Sequence, residues 1–137
     1  MNPALKNSSR LLRIVALAHL LFFSGLSSAL ACKCATKTPE QYFAKADIVV
    51  IGKIVSQSNE LYEVEVVKSF KGSTSENFTI AKSVNEDCGL DFKTSKQYLL
   101  FIKRKRTAFT TTRCSGNEIW SHSSRAARWI NTNQKVD

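Results

Sequence analysis

The chain is poor in histidine and lacks long apolar runs. Only two of its 137 residues are histidine, His19 and His122. Beyond residue 31, no segment approaches the roughly 20 apolar residues of a transmembrane helix, and there are no internal repeats or low-complexity tracts. These absences argue against a histidine-rich metal centre and a membrane-spanning domain beyond residue 31. They favour one small domain without a cofactor or metal of its own.

Acidic residues are also scarce relative to basic ones. The chain has 20 Lys and Arg against 11 Asp and Glu, which gives a net charge of +9. Removing the three basic residues of the first 31 positions leaves +6. The compact run over residues 103–106 could bind a polyanion, but a solvated turn after a predicted strand explains it equally well. Nucleic acid is not an expected partner, because the N-terminal sequence predicts export.

Residues 1–31 have the three parts of a secretory signal peptide. A basic start is followed by an apolar core over residues 14–23 and by a small-x-small cleavage box over residues 29–31. Cleavage there makes Cys32 the first residue of a mature domain over residues 32–137. We therefore expect the protein to be secreted, or to reside in the periplasm or cell envelope.

Two other interpretations of this leader stay open. It could be retained as a membrane anchor, although the cleavage box favours removal. Alternatively, Cys32 could be the lipid-modified cysteine of a bacterial lipoprotein. Ala29 argues against lipidation, because lipoprotein signals usually carry a larger aliphatic residue at that position.

All four cysteines lie beyond the predicted cleavage site: Cys32, Cys34, Cys88 and Cys114. An even number in an exported domain predicts two disulfides, and three pairings are possible. A bridge between Cys32 and Cys34 would close a tight ring, so long-range pairings are favoured. Each of those would stabilise the fold by about 4 kcal/mol. A Cys-x-Cys redox motif is the enzymatic alternative, but it requires an accessible thiol with a low pKa.

The periodicity of the mature sequence predicts five strands between two helices. We expect helices over residues 39–46, capped by Thr38, and 123–133, and strands over 47–56, 61–70, 77–81, 97–103 and 108–114. The first strand is apolar on both faces up to Gly52, which suits a bulge. The predicted fold is therefore all-β, a small closed barrel of the OB type with flanking or plugging helices.

Several fragments follow one another in a familiar order. They are Cys32-x-Cys34, a short helix with aromatic residues, ADIVVIGKI at 46–54, Cys88-Gly89, YLLF at 98–101 and Cys114-Ser115-Gly116. Together they resemble the inhibitory domain of the tissue inhibitors of metalloproteinases and the wider netrin-like module. The resemblance covers essentially all of residues 32–137. It implies a five-stranded OB barrel with disulfides Cys32–Cys88 and Cys34–Cys114.

The resemblance also implies an activity. In the inhibitors, the α-amine and carbonyl of the first cysteine replace the catalytic water on the zinc of the protease. We therefore expect a secreted, monomeric inhibitor of a zinc metalloendopeptidase, which is not itself an enzyme, with Cys32 as the zinc ligand. The inhibitory wedge implied by the resemblance comprises Lys33, Cys34, Ala35 and Thr36, and a neighbouring ridge of Asn85, Glu86, Asp87 and Cys88.

Lys33 departs from the family pattern. The residue between the two cysteines is small and uncharged in the animal inhibitors. An apolar specificity pocket would have to desolvate the Lys33 ammonium, which is costly without a partner. Two alternatives follow: a protease whose pocket carries an acidic group, or a non-inhibitory, protein-binding module outside the cell or in the envelope.

Overall fold

The computed structural model describes residues 33–82, 90–106 and 108–134. The predicted signal peptide, Cys32 and residues 85–88 lie outside the described residues. The elements in chain order are α1 (Pro39–Lys45), β1 (Ile48–Gln57), β2 (Leu61–Lys71), β3 (Asn77–Ala81), β4 (Gln97–Lys105), β5 (Ala108–Thr110), a 3-10 turn (Arg113–Ser115), β6 (Glu118–Ile119) and α2 (Arg125–Asn133). Neither α1 nor α2 has the length and apolar character that crossing a bilayer requires.

Five of the strands close into a barrel. β1 pairs with β2, β2 with β3, and β5 with β4, all antiparallel, while β3 and β5 are parallel. The antiparallel pairing of β4 with β1 closes the ring. This order confirms the small OB-type barrel expected from the sequence. The two-residue strand β6, which was not predicted, adds to β4 beyond the barrel.

β1 is buried on both of its faces. Val50 and Ile54 belong to the core inside the barrel, whereas Val49 belongs to a second cluster with Leu99 and with Ile130 of α2. This second cluster explains why the first half of the strand is apolar at every position. The helices therefore flank the barrel rather than plug it.

Gly52 lies in β1 where core side chains of β2 and β4 leave no room for a side chain. The register of the two strands shifts between Ile51 and Gly52. A Cβ atom at Gly52 would lie 2.5 Å from Cγ1 of Val64 and 2.9 Å from Cδ1 of Leu100. Only glycine leaves room for these core side chains, so the predicted irregularity is confirmed and has a packing cause.

The last strand and the last helix are shorter than predicted. β5 ends at Thr110 rather than at residue 114, and the chain then enters the 3-10 turn that contains Cys114. α2 begins at Arg125 rather than at residue 123, because the Ser124 hydroxyl accepts a 3.1 Å hydrogen bond from the Ala127 amide and caps the helix.

Lys71, at the end of β2, binds the C-terminal end of α1. Its Nζ atom donates to the carbonyl oxygens of Phe43 at 2.8 Å, Ala44 at 3.2 Å and Ala46 at 2.6 Å. The last carbonyls of a helix have no partner within the helix, and a cation is favoured there. Lys71 thus attaches α1 to the barrel, and α1 directly follows residues 33–38.

We predict that Lys71→Met lowers the free energy of unfolding by about 1–3 kcal/mol, because charge-assisted hydrogen bonds to carbonyl groups are lost. Lys68→Met is the matched control, since it removes the same charge from an exposed position of the same strand. We expect it to cost less than about 1 kcal/mol. Urea denaturation measures both. Equal urea midpoints for the two variants would show that the contact of Lys71 with α1 does not stabilise the fold.

Candidate functional site

The segment before α1 carries the first part of the predicted inhibitory wedge. Residues 33–36 are exposed and belong to neither helix nor strand. Cys34 forms a disulfide with Cys114, 80 positions along the chain, and their Cα atoms are 5.1 Å apart. This is the pairing that the resemblance implies. The bond fastens an otherwise unsupported segment to the loop that follows β5.

The start of α1 fixes the other end of this segment. The Thr38 hydroxyl accepts from the Gln41 amide at 3.3 Å, and the Gln41 side chain accepts from the Thr38 amide at 3.0 Å. This reciprocal pair is a capping box, with Pro39 in the first turn. The N-cap predicted at Thr38 is therefore confirmed. Residues 33–37 are thus anchored at the disulfide and at the helix cap.

The loop that carries Cys114 contacts α1 through a glycine. Gly116 has a φ of +89°, and a Cβ atom there would lie 2.6 Å from Cγ of Tyr42. The Tyr42 ring therefore packs against the bare backbone of this loop. Its centroid also lies 5.8 Å from that of Phe101 on β4. Gly116 thus allows the two chain segments joined by the disulfide to approach each other.

Beside the same loop, one edge of β4 at Phe101 has no neighbouring strand, and the side chains of Asn117 and Thr111 bond its backbone instead. β5 pairs with β4 at residues 103–105 and β6 pairs with it at Tyr98 and Leu99, so neither strand covers Phe101. Instead, the Phe101 amide donates to Oδ1 of Asn117 at 2.9 Å. The Phe101 carbonyl accepts from the hydroxyl of buried Thr111 at 2.6 Å.

The Asn117 amide group completes this network. Its Nδ2 atom donates to Oγ1 of Thr111 at 2.9 Å and to the Thr112 carbonyl at 3.0 Å. Asn117 therefore holds β4 on one side and the chain immediately before Cys114 on the other. The position of the disulfide depends on this side chain, because Thr112 is only two residues from Cys114.

The structure brings together part of the predicted site. Lys33, Cys34, Ala35 and Thr36 are contiguous and exposed beside the disulfide. Cys32, the expected zinc ligand, and the expected ridge of Asn85, Glu86, Asp87 and Cys88 lie outside the described residues and stay predictions. Within ranges 33–82, 90–106 and 108–134, no group of His, Cys, Asp and Glu side chains is arranged to hold a metal ion.

Sequence reasoning missed the supporting residues of this site. No individual role was predicted for Tyr42, one of the aromatic residues of the first helix, and Gly116 was named only within the Cys114-Ser115-Gly116 fragment. The roles of Thr111 and Asn117 could not be identified from periodicity, because their hydrogen bonds reach Phe101, ten and sixteen positions away. The one available cue is Asn117 directly after a glycine, which indicates a turn but not its partner.

We predict that Asn117→Asp destabilises the protein by about 1–3 kcal/mol, because the carboxylate cannot donate to Thr111 or Thr112 and repels the Thr112 carbonyl. Asn133→Asp is the matched control, since the Asn133 amide donates to a single exposed carbonyl, that of Trp129, at 2.9 Å. It should cost about 0.5 kcal/mol or less. Denaturation measures both, and equal losses would remove Asn117 from its supporting role.

The sequence of this chain is similar to those of known proteins. The family model described as "Tissue inhibitor of metalloproteinase" matches residues 30–134. Metalloproteinase inhibitor 2 of Homo sapiens and that of Rattus norvegicus are each 33% identical over 110 residues, which covers 68% of this chain and 50% of theirs. The chain thus spans about half the length of the curated relatives it matches. It belongs to the tissue inhibitor of metalloproteinase family.

Proposed function

We propose that this protein is a secreted inhibitor of zinc metalloendopeptidases, not an enzyme, and that its processed N-terminus at Cys32 binds the zinc of the target. The observation that carries the proposal is the exposed segment over residues 33–36, anchored at Cys34 and at Thr38. It directly follows the proposed zinc ligand, and the chain belongs to a family of inhibitors.

The chemistry requires a free amine at Cys32. A catalytic zinc keeps one position open for water or substrate. The α-amine nitrogen and the carbonyl oxygen of Cys32 can take that position and displace the water that would attack a peptide bond. The amine binds zinc only when unprotonated, and its ordinary pKa is about 8. Removal of residues 1–31 and an unacylated Cys32 are therefore part of the proposal.

The anchored segment lowers the cost of binding. Ordering a flexible loop at an interface reduces affinity, whereas a segment already fixed loses little further freedom. In our proposal Lys33 enters the specificity pocket, while Ala35 and Thr36 follow the cleft. The ridge of residues 85–87, attached through a Cys32–Cys88 bond, lies alongside.

We predict that one alanine added ahead of Cys32 reduces inhibition at least about 100-fold, because the amine is displaced from the zinc. The assay compares both forms on thermolysin-type and metzincin-type zinc endopeptidases. Inhibition by the form that begins at Cys32 should also weaken by about tenfold per pH unit below pH 8. Intact mass verifies both N-termini, both disulfides and the absence of lipid. Equal inhibition by the two forms would rule out chelation.

We predict that Lys33→Thr extends inhibition to endopeptidases with apolar pockets, because no ammonium has to be desolvated there. We expect a gain of about tenfold or more in affinity for such enzymes. Lys96→Thr, an exposed change directly before β4, is the charge-matched control and should leave affinity within about twofold. If both variants behave alike on every enzyme, Lys33 does not enter a pocket.

The exposed Lys33 also favours a second candidate function. A module that binds a protein partner without inhibiting a protease has no need for a small residue between the two cysteines. Such a module captures its partner whether or not the Cys32 amine is free. The extended form described above therefore separates the two functions, because it loses inhibition but would keep partner capture.

A further inference from the structure

A small cavity opens beside the Cys34–Cys114 bond. Its volume is about 220 Å³, and Cys114 is one of the residues that line it. Buried Phe101 and half-buried Tyr42 line it together with the exposed Lys45 and Lys103. A cavity of this size holds one amino-acid side chain rather than a drug-sized ligand.

The charge of the cavity has one sign. Lys37, Lys45 and Lys103 line it, and no Asp or Glu does so. Lys103 already has a partner, because its Nζ atom is 3.4 Å from Oδ1 of Asp47. The Arg104 amide donates to the same carboxylate at 2.9 Å. This hydrogen bond, and to a lesser degree Lys103, lowers the pKa of Asp47, so that its carboxyl group stays ionised.

Lys37 and Lys45 are the cations left for a ligand. Among the residues that the structure describes, no carboxylate lies within salt-bridge distance of either ammonium. The Nζ atom of Lys37 lies 5.5 Å from the centroid of the Tyr42 ring, and it therefore stays close to the apolar part of the cavity. An apolar interior with unpaired cations at its edge suits a carboxylate on a short apolar stem.

We propose that this cavity receives an aspartate or glutamate side chain of the inhibited peptidase, an inference that rests on the function proposed above. The source is a protein, because Cys114 both lines the cavity and anchors the segment that enters the cleft. A target bound to that segment lies next to the cavity. The lysine-edged cavity thus selects metalloendopeptidases with an acidic residue beside the active-site cleft.

The first experiment tests the chemistry without any peptidase. The isotope-labelled protein is titrated with N-acetylglutamate and, separately, with N-acetylglutamine at constant ionic strength, both with the α-carboxyl group blocked as a methylamide so that only the side chains differ in charge. We expect N-acetylglutamate to shift the amide resonances of Tyr42, Thr112 and Ser115 with a dissociation constant of about 1–10 mM, and N-acetylglutamine to bind at least tenfold more weakly. Equal responses to the two probes, or no shift at these amides, would overturn the proposal.

Two double variants test whether N-acetylglutamate binds at the lysines of the cavity. Lys37→Gln with Lys45→Gln should weaken N-acetylglutamate binding by about tenfold. Lys68→Gln with Lys96→Gln removes the same charge from exposed positions on β2 and directly before β4, and it should leave binding within about twofold. If both double variants lost N-acetylglutamate affinity equally, the binding would depend only on net charge, and there would be no specific site.

The second experiment tests the source of the carboxylate. On each endopeptidase inhibited by the native protein, Lys37→Gln with Lys45→Gln should raise the inhibition constant about tenfold and slow association, while the control pair changes neither. If both pairs inhibit like the native protein, the cavity takes no side chain of the target, yet the proposed function stands. If the native protein inhibits no endopeptidase, the proposed function fails and this inference fails with it.

Discussion

The Cys34–Cys114 disulfide is the constraint on which the candidate site depends. Residues 33–36 have no secondary structure and are exposed, so neither a hydrogen-bond ladder nor core packing can order them. Fixing each backbone residue costs about 1–2 kcal/mol, and a cross-link over 80 positions offsets about 4 kcal/mol. One bond can thus order only a short segment, and the capping box at Thr38 ends that segment four positions later.

The bond in turn requires a fixed Cys114. The loop around it is held by an irregularity in the barrel: β5 ends early, and Phe101 is left without a strand partner on that edge. Thr111 and Asn117 fill the gap with side-chain hydrogen bonds, while Gly116 admits the Tyr42 ring. The barrel therefore supports the site at the place where its own strand pairing is incomplete.

Features that depend on neighbouring residues could be predicted from the sequence, whereas features that depend on distant residues could not. The strands, the Thr38 cap and the irregularity at Gly52 were predictable, because alternation, capping and bulges depend on neighbouring residues. The end of β5 and the role of Asn117 were not, because both depend on the unpaired backbone groups of Phe101. Strand β6 has two residues, too few to show a period. Cys32 and residues 85–88 lie outside the described part of the chain and stay predictions.

Three exposed or half-buried lysines, Lys33, Lys37 and Lys45, lie close to the Cys34–Cys114 bond in the sequence or at the adjoining cavity. An ammonium buried without a partner costs several kcal/mol, whereas one that meets a carboxylate is compensated. In our proposals, Lys33 at the wedge and Lys37 and Lys45 at the cavity therefore favour the same kind of target, one with acidic groups in and beside its cleft. In our proposal, family membership supports the class of activity. In our proposal the choice of enzyme is set by the charge around one disulfide, because a neutral or apolar target would have to desolvate these ammonium groups without compensation.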